Sequence, residues 1–127
     1  MSIDGGLRKI FRENLPDIDW TSIETGSTGR GVPDSNGCKD GCEFWIEYKK
    51  ADAWAVTLRS EQVGWLTKRA RFGGRVFVAI RRRTTAGPSK GRAVDELWLY
   101  SGADARRLLD GGINNGPEPL YTGGSGP

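Results

Sequence analysis

The sequence predicts an α/β domain, a small mixed β-sheet flanked by helices, and three observations carry that prediction. Segments rich in β-branched and aromatic residues alternate with segments whose apolar residues recur at helical spacing. Their order along the chain reads α-β-β-β-α-β-β-α. The 127 residues, with no repeat and no internal linker, match one ordinary domain and can bury a core without staples.

Leu7, Ile10 and Phe11 recur at helical spacing with Arg8, Lys9 and Arg12 opposite, and Pro16 ends this first helix. Residues 20–25 (WTSIET) read as a short strand. Residues 26–31 (GSTGRG) are a flexible stretch; they superficially suggest a phosphate loop, but lack its lysine and precede no helix. Residues 32–34 open a second strand, and residues 35–41 (SNGCKDG), dense in turn formers, read as a hairpin connection. Residues 43–49 (EFWIEYK) are strongly strand-like. Ser60 can cap a helix running to Phe72, with Val63, Leu66 and Ala70 on its core face and Gly73-Gly74 at its stop. Residues 75–80 (RVFVAI) form a buried strand, followed by the run Arg81-Arg82-Arg83. After a loop over residues 87–91, residues 96–100 (ELWLY) give another strand. Ser101 then caps a last helix with Ala105, Leu108 and Leu109 on one face, ended by Gly111-Gly112. Residues 1–112 are thus expected as a single domain, and residues 113–127, rich in Pro and Gly, as a loosely ordered tail.

Composition excludes several classes of function. No apolar run approaches a membrane span and MSIDGGLRKIFREN lacks a signal-peptide core, so membrane insertion and secretion are not expected. With no histidine, histidine-based triads and histidine-ligated metals are out. Cys38 and Cys42 cannot build a disulfide framework and could hold Zn²⁺ only with ligands from another chain; plain thiols around a turn are expected, open to oxidation. Catalysis, if any, must run on carboxylates, lysine, or a metal they hold.

Charge is distributed unevenly. Between Glu61 and Asp95 there is no acid, yet nine bases occur: Lys68, Arg69, Arg71, Arg75, Arg81, Arg82, Arg83, Lys90 and Arg92. The rest of the chain carries ten bases against sixteen acids. A basic face on an acidic body suits a polyanion, because phosphate contacts release counterions; a solvated surface is the plainer reading of the same block. Trp54, in the loop before the second helix, could stack on a base or pack in a core or dimer contact, whereas Trp20, Trp45, Trp65 and Trp98 lie on predicted elements and should pack.

The stretch that carries chemistry is Gly31-Val32-Pro33-Asp34, followed thirteen positions after the aspartate by Glu47-Tyr48-Lys49. Strand alternation projects Glu47 and Lys49 from one face and Ile46 and Tyr48 from the other. A hairpin pairing the two segments would join two carboxylates and one ammonium. Such a set suits Mg²⁺, which polarises a phosphoryl oxygen and lowers the pKa of a bound water, while the lysine orients or deprotonates the attacking water.

Pro33-Asp34 with Glu47-x-Lys49 resembles the PD-(D/E)XK nuclease superfamily, most closely its VRR-NUC branch. The likeness extends to the lead-in Gly31-Val32, to a following helix that opens with a glutamine (Gln62 in LRSEQ), and to the glycine break and apolar strand GGRVFV, together covering residues 7–81. A restriction-endonuclease-like fold and Mg²⁺-dependent DNA hydrolysis are what this resemblance implies, with Mn²⁺ also serving. It implies that Asp34, Glu47 and the Tyr48 backbone carbonyl ligate the metal, that Lys49 acts on the nucleophilic water, and that Gln62 positions water or phosphate. An upstream acid often completes the family's site; Glu13 on the first helix or Glu24 on the next strand could supply it. On a helical wheel Gln62 and Arg69 sit together, and the segment containing Lys68, Arg69, Arg71, Arg81, Arg82, Arg83, Lys90 and Arg92 would hold DNA.

Small single-domain members of this branch resemble Holliday-junction resolvases that act as homodimers. The resemblance therefore implies structure-selective cutting of branched DNA, in phage recombination or processing within the cytoplasm of a bacterial host. A nicking or restriction-type nuclease, a catalytically silent DNA-binding module, and a domain that contacts an acidic protein are the rival expectations. The silent module is disfavoured because Asp34, Glu47, Lys49 and Gln62 are all intact.

Overall fold

The computed structural model describes residues 4–24, 31–85 and 91–124. Among them the chain forms α1 (Leu7–Asn14), β1 (Asp19–Ser22), β2 (Ser35–Lys39), β3 (Cys42–Ala51), α2 (Ser60–Arg71), β4 (Val76–Thr84), β5 (Val94–Ser101), α3 (Ala105–Asn115) and β6 (Tyr121–Gly124), with a 3-10 turn at Gly102–Asp104 before α3. The six strands make one mixed sheet in chain order. Strands β1, β2 and β3 form an antiparallel meander, α2 crosses over to bring β4 parallel to β3, and β5 and β6 follow antiparallel. The expected class, an α/β domain with helices on both faces of a mixed sheet, is therefore met.

Alternation along β4 divides the core in two. Val76, Val78 and Ile80 join Val63 and Leu66 of α2 and Leu108 of α3 on one face. Ala79 and Phe77 join Leu7, Ile10 and Phe11 of α1 with Ile46 and Tyr48 on the other. Glu47 and Lys49, alternating with Ile46 and Tyr48 on β3, consequently lie on the α2 face. An apolar groove of about 660 Å³ between α1 and strands β5 and β6 opens on the opposite face, away from these charged groups. No helix among the described residues is long and apolar enough to cross a membrane.

Several boundaries depart from the sequence-based expectation. The segment SNGCKDG is mostly strand β2, with only Asp40 and Gly41 in the turn. Gly37 belongs there for packing: a Cβ would lie 2.3 Å from the Phe44 ring. Strand β1 begins a residue early and stops at Ser22, so Glu24 follows the strand instead of lying on it. Arg59 is the N-cap of α2, and Ser60 is its first helical residue, with its hydroxyl bonded to Glu61. Ser101 does cap, but its hydroxyl accepts the Ala103 N–H at the 3-10 turn. Gly112, with φ +70°, kinks α3 without ending it, and the helix continues to Asn115.

The stretch 113–127 carries more structure than its composition predicts. Ile113 is buried, and residues 121–124 add β6 to the sheet against residues 96–99. Cys38 lies opposite Glu43, and Lys39 opposite Cys42, so the two thiols point to opposite faces of the hairpin and are not poised to bridge each other.

Candidate active site

Local chemistry explains how Asp34 reaches β3. Gly31 has φ +81°, and a Cβ there would fall 2.1 Å from the Glu61 carbonyl oxygen, so only glycine lets the chain pass this close to the start of α2. Extending the β2–β3 register by two residues sets Pro33 opposite Tyr48, and proline has no N–H to continue the ladder. Pairing therefore starts at Ser35. The Asp34 side chain takes the place of strand backbone: its Oδ2 accepts the Tyr48 N–H at 2.9 Å, while its main-chain carbonyl accepts the Ile23 N–H.

This also orients Tyr48. On β3 the N–H of Trp45 faces Arg75 ahead of β4, whereas that of Tyr48, three residues on, faces Asp34 on the β2 side. A residue's N–H and C=O face the same neighbouring strand. The Tyr48 carbonyl thus faces the Asp34 side, where Pro33 offers it no donor.

Gln62 ties the set together from the first turn of α2. Its Oε1 accepts from the Arg59 N–H at 2.9 Å and from Lys49 Nζ at 3.1 Å, and its Nε2 donates to Glu47 Oε2 at 2.9 Å. Lys49 Nζ also lies 3.5 Å from Glu47 Oε2. Gln62 is buried, so its amide is held by three partners and does not rotate freely.

Glu47 is 3% exposed, and its second oxygen, Oε1, is buried without a hydrogen-bond partner. Burial first, then the nearby Asp34 charge, push its pKa up to about 7 even after Lys49 has offset part of the rise. A buried, half-charged carboxylate with an orphaned oxygen is expensive for folding alone.

Asp34, Glu47, Lys49 and Gln62 are thus brought together. Glu13 and Glu24 are not: both are exposed, and among the described residues neither makes a hydrogen bond or ion pair with this cluster. Arg8 of α1 stands there instead, with Nη2 4.0 Å from Asp34 Oδ1. Sequence reasoning placed Arg8 on the polar side of α1 and had no signal that this side meets Asp34. Among the described residues no three Cys, Asp or Glu side chains converge on one point. The oxygens that fit a divalent cation are the two carboxylates, the unpartnered Glu47 Oε1 and the Tyr48 carbonyl, a set suited to an ion that keeps several waters.

The basic segment divides into paired and free cations. Arg81 is bidentate to Asp95 (2.9 and 2.7 Å) and donates to the Gly5 carbonyl. Arg82 is buried, bonds Glu96 at 2.9 Å, and lies 3.8 Å from the centroid of the Trp54 ring. Both serve as internal ties, so neither presents a free charge to a phosphate. Arg69 stacks over Trp65 and Trp45. Lys68, Arg71, Arg75, Arg83 and Arg92 are exposed. Lys90, and the glycine-rich stretch 26–31 apart from Gly31, lie outside the described residues.

No protein-family model matches the chain, and no curated protein matches it.

Proposed function

We propose that the protein is a metal-dependent endodeoxyribonuclease of the PD-(D/E)XK superfamily, with a restriction-endonuclease-like fold and a likeness to the VRR-NUC branch. The observation that carries this reading is the Gln62 bridge, which locks Lys49 and the buried Glu47 beside Asp34. Asp34, Glu47 and the Tyr48 carbonyl would hold Mg²⁺ or Mn²⁺. Such an ion supplies polarisation of a phosphoryl oxygen and an acidified water.

The protein's own groups account for the rest. Lys49 Nζ, held by Gln62 Oε1, orients the water that attacks phosphorus in line and offsets charge on the phosphate oxygens. Without metal, Glu47 becomes a carboxylate only as pH approaches and passes 7, so metal uptake, and cleavage at limiting metal, should rise over that range. The described residues build one sheet with its helices and no separate sequence-reading unit, and on that ground we favour branched DNA as substrate, cut by a homodimer in the cytoplasm of a phage-infected bacterial cell.

The test is incubation with labelled four-way junction, flap, single-stranded and duplex DNA, with Mg²⁺ or Mn²⁺ and with chelator. Cleavage should require the metal and fall by about a hundredfold or more in Asp34→Ala and Lys49→Ala. Symmetric nicks at a junction identify a resolvase, whereas equal cutting of linear duplex identifies a general nuclease. Parental activity in either variant refutes the assignment.

A further inference from the structure

We infer that the C-terminal turn of α2 is a wedge that unstacks DNA a few nucleotides from the scissile phosphate, with Phe72 as the inserted side chain; the inference rests on the nuclease reading above. Phe72 is 80% exposed, the most exposed large apolar side chain among the described residues, and nothing in the core uses it. Its turn is rigid. The Phe72 N–H bonds the Lys68 and Arg69 carbonyls, Gly73 that of Ala70, and Gly74 that of Arg69. Gly73 has φ +86°, and a Cβ on Gly74 would lie 2.6 Å from Arg69 Cγ, so the aromatic is held out on a locked support.

The surroundings are cationic. Lys68, Arg71 and Arg75 are exposed, and among the described residues none of the three is in an ion pair. Some of that charge complements the helix dipole, but the dipole explains neither Arg75, which lies beyond the helix, nor the exposed ring. An exposed apolar side chain with three exposed cations within four residues of it in the chain matches a ligand that offers both phosphates and π-faces. That is the chemistry by which wedge residues enter a base step.

Placement favours nucleic acid over an acidic protein, because the same helix carries Gln62 of the candidate site at its other end. The ten residues from Gln62 to Phe72 span about 15 Å at helical rise, which is about four to five nucleotides at about 3.4 Å each. DNA lying along α2 would be cut about that far from the step Phe72 enters.

The test compares the parental protein with Phe72→Ala, Phe72→Trp and Arg71→Ala in EDTA, on a four-way junction carrying 2-aminopurine at the branch and on linear duplex. Unstacking by the parental protein should raise 2-aminopurine fluorescence. Phe72→Ala should abolish the rise and weaken junction binding about tenfold, with duplex affinity and melting temperature unchanged, and Phe72→Trp should retain both. Arg71→Ala should weaken both substrates and lower the salt slope by about one. In Mg²⁺ the cuts should fall about four to five nucleotides from the branch. An unchanged Phe72→Ala in a protein that still cleaves overturns the wedge and leaves the nuclease reading standing, as does an equal loss on duplex. A parental protein that neither binds nor cuts DNA, or that binds only an acidic polypeptide, overturns both.

Discussion

Replacing Glu47 by glutamine should stabilise the fold while disabling its chemistry. Burial and the Asp34 charge raise the Glu47 pKa from 4.5 to about 7. The folded state therefore holds a proton that the unfolded chain has released between these values. Stability contributed by the protonated form is complete below pH 4.5 and is lost as pH climbs through 7. A shift of this size corresponds to about 3 kcal/mol, with little solvent screening at 3% exposure. Glutamine keeps an acceptor for Gln62 Nε2 and gives up the attraction of Lys49, so the net gain at pH 8.5 should be about 1–2 kcal/mol. Urea unfolding in EDTA, from pH 4.5 to 8.5, measures it. The difference between parental and Glu47→Gln proteins should open progressively with rising pH in favour of the variant. A difference that stays flat, or that favours the parental protein at high pH, refutes the burial argument. Added Mg²⁺ at pH 8 should then stabilise the parental protein and leave the variant unmoved.

Two further substitutions separate structural cations and glycines from functional ones. Arg82→Ala should cost about 1–2 kcal/mol in a denaturant titration, since it leaves Glu96 with only the Trp98 indole N–H and uncovers Trp54, and should leave the salt dependence of DNA binding unchanged; a lowered salt slope would show that Arg82 reaches phosphate after all. Gly31→Ala meets both a positive φ and the Glu61 carbonyl, so a loss of at least about 2 kcal/mol, read as a lower melting temperature, is expected. An unshifted melting temperature would mean that the approach of this segment to α2 is not obligatory.

Alternation and spacing make the centre of the candidate site legible in the sequence. EFWIEYK announces its own strand, and a strand with Glu47 and Lys49 two apart must project both from one face. Gln62 was readable from its place in the opening turn of α2, although its tie to the Arg59 N–H was not. Illegible parts depended on contacts between distant segments. The turn-forming composition of residues 35–41 hid β2, because Ser35 is buried and Gly37 is small to admit the Phe44 ring. Residues 121–124 follow two strand-favouring residues, Tyr121 and Thr122, with two glycines, too short and mixed a signal to stand out, and become β6 by pairing with β5. The run Arg81-Arg82-Arg83 looked like a phosphate clamp, yet Asp95 and Glu96 lie on the neighbouring strand in register with Arg83 and Arg82. Composition cannot reveal that neutralisation, since it arises only on pairing.

The kink at Gly112 has a consequence for how distant parts of the chain are coupled. It turns the Ile113 N–H toward the Trp54 carbonyl, a 2.8 Å bond that fastens the segment between Lys49 and Gln62 to α3. With Val56 and Leu58 sunk in the core and the Arg59 N–H held by Gln62, that bond makes the approach to α2 a strap pinned at intervals along its length, so a disturbance of α3 at Gly112 would reach Gln62 through it.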